Sequence, residues 1–502
     1  MKLTLLEWQN EAIKTWYDNN CRGTFKVVTG AGKTIMALSA ALDLDQKKND
    51  NLYVRIVVPK IVLCRQWSKV LSNVFSISKS DIGKYYGEVK DTLDKKFVVY
   101  VINSARYRIS SDILSLIRKG KDVLLIVDEC HHLSGEENRK IFDFLPLLKK
   151  EEVTRFHSIG LSATPECNFF DDVSRKLGPI IYNYDLENAI KDDVINSCKV
   201  VNIGINLTKE ESELYTSLTR TINAMLNKLP LNIASSDNLF PWLNKESRNP
   251  NSYYYEIANT LLRKLRARTT IIVMAQERIE CVYNLIAQIP ESKSIIVFCE
   301  RIEQADILYS LLKDFRAVEY HSKLGDVQKA NALRSFSDKS ARILVSCKAL
   351  DEGLDVKDAD VGIWISGGSG ERQKIQRLGR ILRKDKEKDI SIFYYIYAQE
   401  TSEEVHFVYN DAILEYDFTY QGGGYESSFF DELVSSLIEE NDESFETQEI
   451  LYDNCYLNVI AMDWTLSEEE LNLLIEDTTV VAKRNYYCAM KLLSRKLLEC
   501  FA

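Results

Sequence analysis

No hydrophobic run in the chain approaches the ~20 apolar residues that a bilayer-spanning helix needs. The longest, such as Phe97 to Ile102 and Val123 to Val127, stop far short of that. The apolar start Leu3 to Leu6 is cut by Glu7 before a signal-peptide core could form, so the expected location is the cytosol. Paired cysteines are missing as well. The 11 Cys are scattered from Cys21 to Cys500 without a CxxC, which argues against both a zinc site and a disulfide framework. With only 8 Pro and 20 Gly in 502 residues, the chain is neither collagen-like nor of low complexity, and it is long enough for about three domains. Positive charge is absent from one stretch alone: Asp411 to Val480 holds 19 Asp or Glu and no Lys or Arg. The tail from 481 carries +4, so the net charge of -10 hides a body, residues 1–410, at +5. A mildly basic body joined to an acidic appendage points to partners of opposite charge.

Short β-branched runs at Thr24 to Thr29, Val54 to Val58, Phe97 to Ile102, Val123 to Val127 and His157 to Leu161 alternate with helix-compatible segments. Strands this apolar are buried on both faces, as in a parallel sheet covered by helices. A second set follows at Ser294 to Cys299, Ala317 to Tyr320, Ile343 to Ser346, Val361 to Ile365 and Ile390 to Tyr397. The expected architecture is therefore α/β: two parallel-sheet domains in tandem, residues 1–205 and 291–405. A helical insertion, 206–290, separates them, with a surface loop expected from Ser235 to Ser252, and an acidic, mainly helical accessory domain, 406–502, follows.

Strand Thr24 to Thr29 runs into Gly30-Ala31-Gly32-Lys33-Thr34 and then an Ala- and Leu-rich helix. A glycine turn lets backbone N–H groups point inward and the helix start adds partial positive charge, so a polyphosphate such as that of ATP fits the loop from Thr29 to Thr34. Lys33 is suited to the β and γ phosphates and Thr34 to Mg²⁺. The strict phosphate-loop pattern asks for Gly where this chain has Val27. The alternative is a plain strand-to-helix turn with a surface lysine. Asp128 ends a buried strand, where a metal-coordinating carboxylate belongs, and Glu129 beside it can take a proton from the attacking water. The alternative there is a merely acidic turn. Cys130, His131 and His132 lack a second ligand cluster at zinc spacing.

These motifs stand in an ordered series: Trp8-Gln9, Gly30 to Thr34, Val58-Pro59-Lys60 with Gln66-Trp67, Asp128 to His131, and Leu161 to Pro165. The second half adds Ile296 to Cys299, Ser346 to Val356 and Gln376 to Arg383. In this order they resemble superfamily 2 helicases and translocases, in the branch with XPB-like, RadD-like and type III restriction helicase subunits. The resemblance covers roughly residues 3 to 405 and implies two RecA-like domains that hydrolyse ATP with Mg²⁺. It implies that Gln9 reads adenine, for which one amide offers a matched donor and acceptor. It further implies that Ser162 and Thr164 couple the ATP site to the domain cleft, and that Gly353 and Asp355 face the nucleotide. On a helix Gln376, Arg380 and Arg383 share one face, away from Leu378, Ile381 and Leu382. The resemblance implies that they complete the catalytic site beside Lys33, Asp128 and Glu129; a solvated basic face is the alternative.

The implied function is an ATP-dependent DNA helicase or translocase, in repair, restriction or anti-phage defence. The rival readings are a nucleic-acid-gated ATPase switch that remodels a protein complex without unwinding, and an RNA helicase. Single- or double-stranded DNA is the expected partner, with contacts around Pro59, Asn103-Ser104 and Ser346 by family position. The basic segment Arg263, Lys264, Arg266 and Arg268 beside Tyr253 to Tyr255 is either a phosphate- and base-stacking surface or a solvated face packing through Leu261, Leu262 and Leu265. Asp81 with Glu88-Val89-Lys90 has nuclease-like spacing, but it falls inside the first motor domain and is read as chance. The acidic appendage either keeps the chain soluble, docks a basic partner such as a nuclease or loader, or lies across the DNA path.

Overall fold

The structure, a computed structural model, describes residues 4–165, 170–230, 233, 239–347, 359–366, 390–403, 413–440 and 467–501. They divide into two compact units, the first ending at Ser197. Its strands are β1 (Arg22–Val27), β2 (Leu52–Val58), β3 (Ile82–Tyr86), β4 (Val89–Lys90), β5 (Phe97–Val101), β6 (Asp122–Asp128), β7 (Phe156–Ser162) and β8 (Ile180–Tyr184). They form one sheet in the order β4-β3-β5-β2-β6-β7-β1-β8. Every pairing is parallel except the β3–β4 hairpin. All seven residues of β6 are buried, and burial of each large apolar side chain there stabilises by about 1.5–3 kcal/mol.

Four helices frame the strand ends that matter: α1 (Glu7–Asp18), α2 (Lys33–Lys47), α3 (Ile61–Asn73) and α4 (Ile102–Arg118). α1 buries Trp8, Ala12 and Trp16 at i, i+4 and i+8, and the Trp16 Nε1–H donates to the Ser158 carbonyl of β7 at 2.9 Å. In α3 the same spacing makes a stripe of Leu63, Trp67 and Leu71.

The second unit has β9 (Ser197–Ile205), β10 (Ile295–Cys299), β11 (Ala317–Tyr320), β12 (Ile343–Cys347), β13 (Val361–Trp364), β14 (Ile390–Ala398), β15 (Ile413–Gln421) and β16 (Gly424–Glu426). Their order is β11-β12-β10-β13-β14-β9-β15-β16. Ahead of β10, helices Lys209–Leu226, Leu239–Glu246 and Tyr255–Val273 gather around Ile222, Leu229, Leu243, Ala258 and Leu261. Helix Gln276–Gln288 instead packs Cys281, Val282, Leu285 and Ile286 into the sheet's own core.

Three sequence expectations change. The first unit does not extend to 205, because Ser197–Ile205 is a strand of the second sheet, paired with β15 from Cys198↔Ile413 to Ile205↔Tyr420. The stretch from Ser235 to Ser252 is not all loop, since it contains helix Leu239–Glu246 with Leu243 buried. Nor do residues 406–502 form a separate helical accessory domain: among those described, β15 and β16 extend the second sheet. Leu433, Val434, Leu471, Ala489, Met490 and Leu493 enter its core. The physical cause is the alternation Tyr416, Phe418, Tyr420, which buries one face of a strand inside an acidic sequence. The acidic segment also has a positive partner in this chain. Helix Val481–Phe501 lies against helix Glu468–Asp477, with Arg495 on Glu468 and Lys491 Nζ 2.6 Å from Asn472 Oδ1. Among the described residues no helix is long and apolar enough to cross a membrane.

Candidate nucleotide site

In a parallel sheet with covered faces, ligands bind outside the carboxyl ends of the strands. Those ends of β1, β7 and β6 carry the three motifs read from sequence. Lys26 is level with Ser162 and Leu161 with Asp128, so the loop after β1 and the Asp128–Glu129 pair flank the end of β7. Two strand spacings, ~10 Å, separate them.

Gly30 and Gly32 both have left-handed backbones, φ 94° and 97°, and Gly32 is the residue from which α2 starts. The first N–H groups of a helix have no partner within it, so the turn presents donors at its positive end. Lys33 begins α2, with Nζ folded back to the carbonyl oxygens of Val27 at 3.0 Å and Val28 at 3.4 Å. Gln9 is buried beside this turn. Its Oε1 accepts from the Leu6 N–H at 3.0 Å, and its Nε2 donates to the Gly32 carbonyl at 3.3 Å. α1 is fixed here by Trp8, whose ring stacks 4.7 Å from Tyr184 of β8. Burial and the neighbouring acids Glu11 and Asp192 push the Tyr182 and Tyr184 hydroxyls up in pKa, which keeps them as neutral donors to those carboxylates.

Asp128 is 7% exposed and its two oxygens face different donors. Oδ2 accepts from Trp67 Nε1–H at 2.8 Å and Oδ1 from the Glu129 N–H at 3.1 Å. Glu129 turns the chain with φ 47° into the 3-10 turn Cys130–Ser134. Its Oε2 lies 3.4 Å from His131 Nδ1, which is 3.0 Å from Ser162 Oγ, and that oxygen accepts from the Thr164 N–H at 3.1 Å. Glu129 is thereby linked through His131 to the turn after β7. Cys130 packs into the core of the first unit.

The structure thus places Thr29 to Thr34, Asp128 and Glu129 at the carboxyl ends of β1 and β6, the strands that flank β7 in the first sheet, with Gln9 beside the turn. Gly353, Asp355, Gln376, Arg380 and Arg383 lie outside the described residues. Of the expected DNA contacts, Asn103 is exposed in the first turn of α4, whereas Ser346 is buried in β12. Asp81 ends a 3-10 turn and Lys90 belongs to the β3–β4 hairpin. Neither the Trp67–Asp128 bond nor the His131–Ser162 link has a signal in the sequence beyond the position of these residues inside motifs.

Gly32→Ala tests the turn. A Cβ there would sit 2.8 Å from Gln9 Nε2 on a backbone that L residues rarely adopt. A left-handed residue costs about 1–2 kcal/mol, so nucleotide affinity in a fluorescent-nucleotide titration is expected to fall about tenfold. Unchanged affinity would contradict the need for this backbone.

A family model described as "Type III restriction enzyme, res subunit" matches residues 2–167, and "Helicase conserved C-terminal domain" matches 277–385. The chain is 30% identical over 397 residues to the DNA 3'-5' translocase XPB2 of Sulfurisphaera tokodaii, covering 77% of this chain and 80% of that one. It is 23% identical to the DNA 3'-5' helicase XPB of Mycobacterium tuberculosis, covering 83% of this chain and 64% of that one. Among solved structures, the Hef helicase domain of Pyrococcus furiosus aligns with a TM-score of 0.50 at 16% identity, over 79% of this chain and 96% of that one. The fragment of a putative HsdR subunit of a type I restriction enzyme from Vibrio vulnificus aligns with a TM-score of 0.52, also at 16% identity, over 83% and 68%. Two tandem RecA-like sheets, the ordered motifs and this relationship establish that the chain belongs to the XPB-like branch of the superfamily 2 helicases and translocases, ATP-hydrolysing motors.

Proposed function

We propose that the chain is a 3'-5' DNA translocase whose ATP is held by Gln9 and the loop from Thr29 to Thr34. The observation that carries this reading is that the Gly30–Thr34 turn and the Asp128–Glu129 pair stand at the carboxyl ends of the parallel strands that flank β7 in one sheet. The backbone N–H groups at the start of α2 bind phosphate and Lys33 adds a full charge. The Thr34 hydroxyl and the Asp128 carboxylate are hard oxygen donors of the kind Mg²⁺ takes, and Asp128 is already held in orientation. When bound, the metal neutralises charge on the phosphates. Glu129 accepts the proton of the attacking water at its carboxylate.

By family position Gln376, Arg380 and Arg383 stabilise charge on the transferred phosphoryl group, and Gly353 and Asp355 line the nucleotide. DNA as the track is favoured by the XPB-like relatives and by the +5 charge of residues 1–410. On helix Tyr255–Val273, Arg263 and Arg266 are exposed and Tyr253, just before it, is 87% exposed, which suits sequence-independent phosphate and base contact. The same helix packs through Leu261, so packing and contact occupy different faces. A basic protein partner at the acidic helices remains part of the proposal, and its attachment would weaken with salt.

ATPase rates measured in parallel with double-stranded DNA, single-stranded DNA and RNA test the reading. DNA is expected to raise kcat severalfold and RNA to leave it near the basal rate. Stimulation by RNA alone would contradict it.

A further inference from the structure

We propose that Trp67 is a positioning residue for the Asp128 carboxylate. The inference rests on the reading of Asp128 as a Mg²⁺ ligand and adds a residue to which no role has been given. Trp67 sits in the middle of the α3 stripe, 1% exposed, and its indole reaches the carboxyl end of β6, where Nε1–H donates to Asp128 Oδ2 at 2.8 Å.

Two comparisons within the chain mark this bond as unusual. The indole N–H groups of the buried Trp16 and Trp364 donate to backbone carbonyls, of Ser158 and Ser366, which is the ordinary way to satisfy a buried indole. Trp67 alone of these three donates to a carboxylate. The second comparison is with Asp112, a buried carboxylate of α4 in the same unit, which is held by the Arg55 guanidinium at 2.6 Å. A cation in that role neutralises the carboxylate and would compete with a metal. An indole N–H is a neutral donor without acceptor capacity, so it fixes direction without adding a charge of its own.

The geometry supports orientation rather than mere burial. Trp67 holds Oδ2 while the Glu129 N–H holds Oδ1, so the plane of the carboxylate is defined from both sides. Each carboxylate oxygen carries two lone pairs, and a bond from Trp67 does not exhaust Oδ2. Partners that orient metal ligands in this way typically contribute 10–100-fold to metal affinity.

The test replaces Trp67 in the full chain with β-(3-benzothienyl)alanine, which keeps the bicyclic shape and removes the N–H donor. Trp67→Phe and Asp128→Asn serve as companions. Mn²⁺ is titrated into protein saturated with ADP and followed by electron paramagnetic resonance, with metal-free ADP affinity and the melting curve measured alongside. The benzothienyl variant is expected to bind Mn²⁺ about tenfold more weakly, with ADP affinity unchanged. Trp67→Phe should match it in Mn²⁺ affinity and lose some stability as well. Wild-type Mn²⁺ affinity in the benzothienyl variant, with Asp128→Asn impaired, would overturn the positioning role and leave Asp128 as a ligand. Wild-type Mn²⁺ affinity in Asp128→Asn would overturn the ligand assignment itself, and the role of Trp67 with it.

Discussion

Glu129→Gln is expected to lower ATP turnover by about 10²–10⁴-fold, the usual range for loss of a general base, while nucleotide remains bound. Lys33→Ala is expected to lose both. The two residues fail differently because they do different things. Glutamine is isosteric with glutamate, keeps the N–H that Asp128 Oδ1 accepts, and removes only the basic oxygen near His131 Nδ1. Lysine 33 supplies a charge at the start of α2, where its Nζ is within reach of Val27 and Val28 carbonyl oxygens that a phosphate would replace as partner. Phosphate release and equilibrium binding of a fluorescent nucleotide separate the outcomes. Equal loss of nucleotide affinity in the two variants would contradict the assignment of roles.

The largest expected effect on stability comes from Asp112. Its carboxylate holds Arg55 Nε at 2.6 Å and accepts from the Tyr100 hydroxyl at 2.7 Å, and Arg55 on β2 is wholly buried. Burial and the adjacent Asp112 push the Tyr100 hydroxyl far up in pKa, so it stays a donor. The guanidinium also donates to the carbonyl oxygens of Lys95 at 3.0 Å and Leu93 at 2.8 Å, tying the loop before β5 to β2. Asp112→Ala strands the charge of Arg55 without removing it. The cost is expected to be about 3–5 kcal/mol, a large share of a typical domain's stability. Replacing both residues, as Arg55→Met with Asp112→Leu, is expected to cost less than Asp112→Ala alone, since the penalty lies in the unpaired charge. Urea denaturation checks both, and a double variant weaker than the single one would contradict this account. Since β2 lies directly beside β6 in the sheet, loosening it also loosens the seat of Asp128.

The strands that carry chemistry were legible because they are apolar on both faces. Val123 to Val127 and Phe97 to Val101 declare themselves without knowledge of their neighbours, and Gly30 to Thr34 announces a turn through its own glycines. Strands at the margins were not legible. β8, with Ile180 to Asn183 only partly covered, and β15, whose Asp417 faces outward, mix polar and apolar residues as an edge or semi-exposed strand should. For β15 the alternation was present in Tyr416, Phe418 and Tyr420. Its partner β9 lies more than 200 residues earlier, and the Asn202–Asp417 contact spans 215 positions. No local pattern reports a pairing of that range. The same limit hid Trp67, whose partner Asp128 is 61 residues away. A tryptophan at helical spacing with leucines reads as core, and it is core; only the direction of one N–H distinguishes it.

The charge asymmetry between body and appendage is legible in the sequence, and the pairing within the appendage is not. The -19 segment, Asp411 to Val480, has no Lys or Arg of its own, yet Arg495 and Lys491 of the following helix meet Glu468. These are solvent-exposed pairs, screened by water and salt, and each contributes little to stability. The tail helix is anchored by Ala489, Met490 and Leu493 in the second core, and the ion pairs lie beside that contact.

ATP turnover at the proposed Lys33–Glu129 site is expected to move the protein along DNA. Displacement of a fluorescent third strand from a DNA triplex measures that movement directly, without requiring duplex unwinding. ATP-dependent release of the third strand is expected from the wild-type chain and none from Glu129→Gln. DNA-stimulated ATP hydrolysis at full rate with the third strand left in place would contradict it.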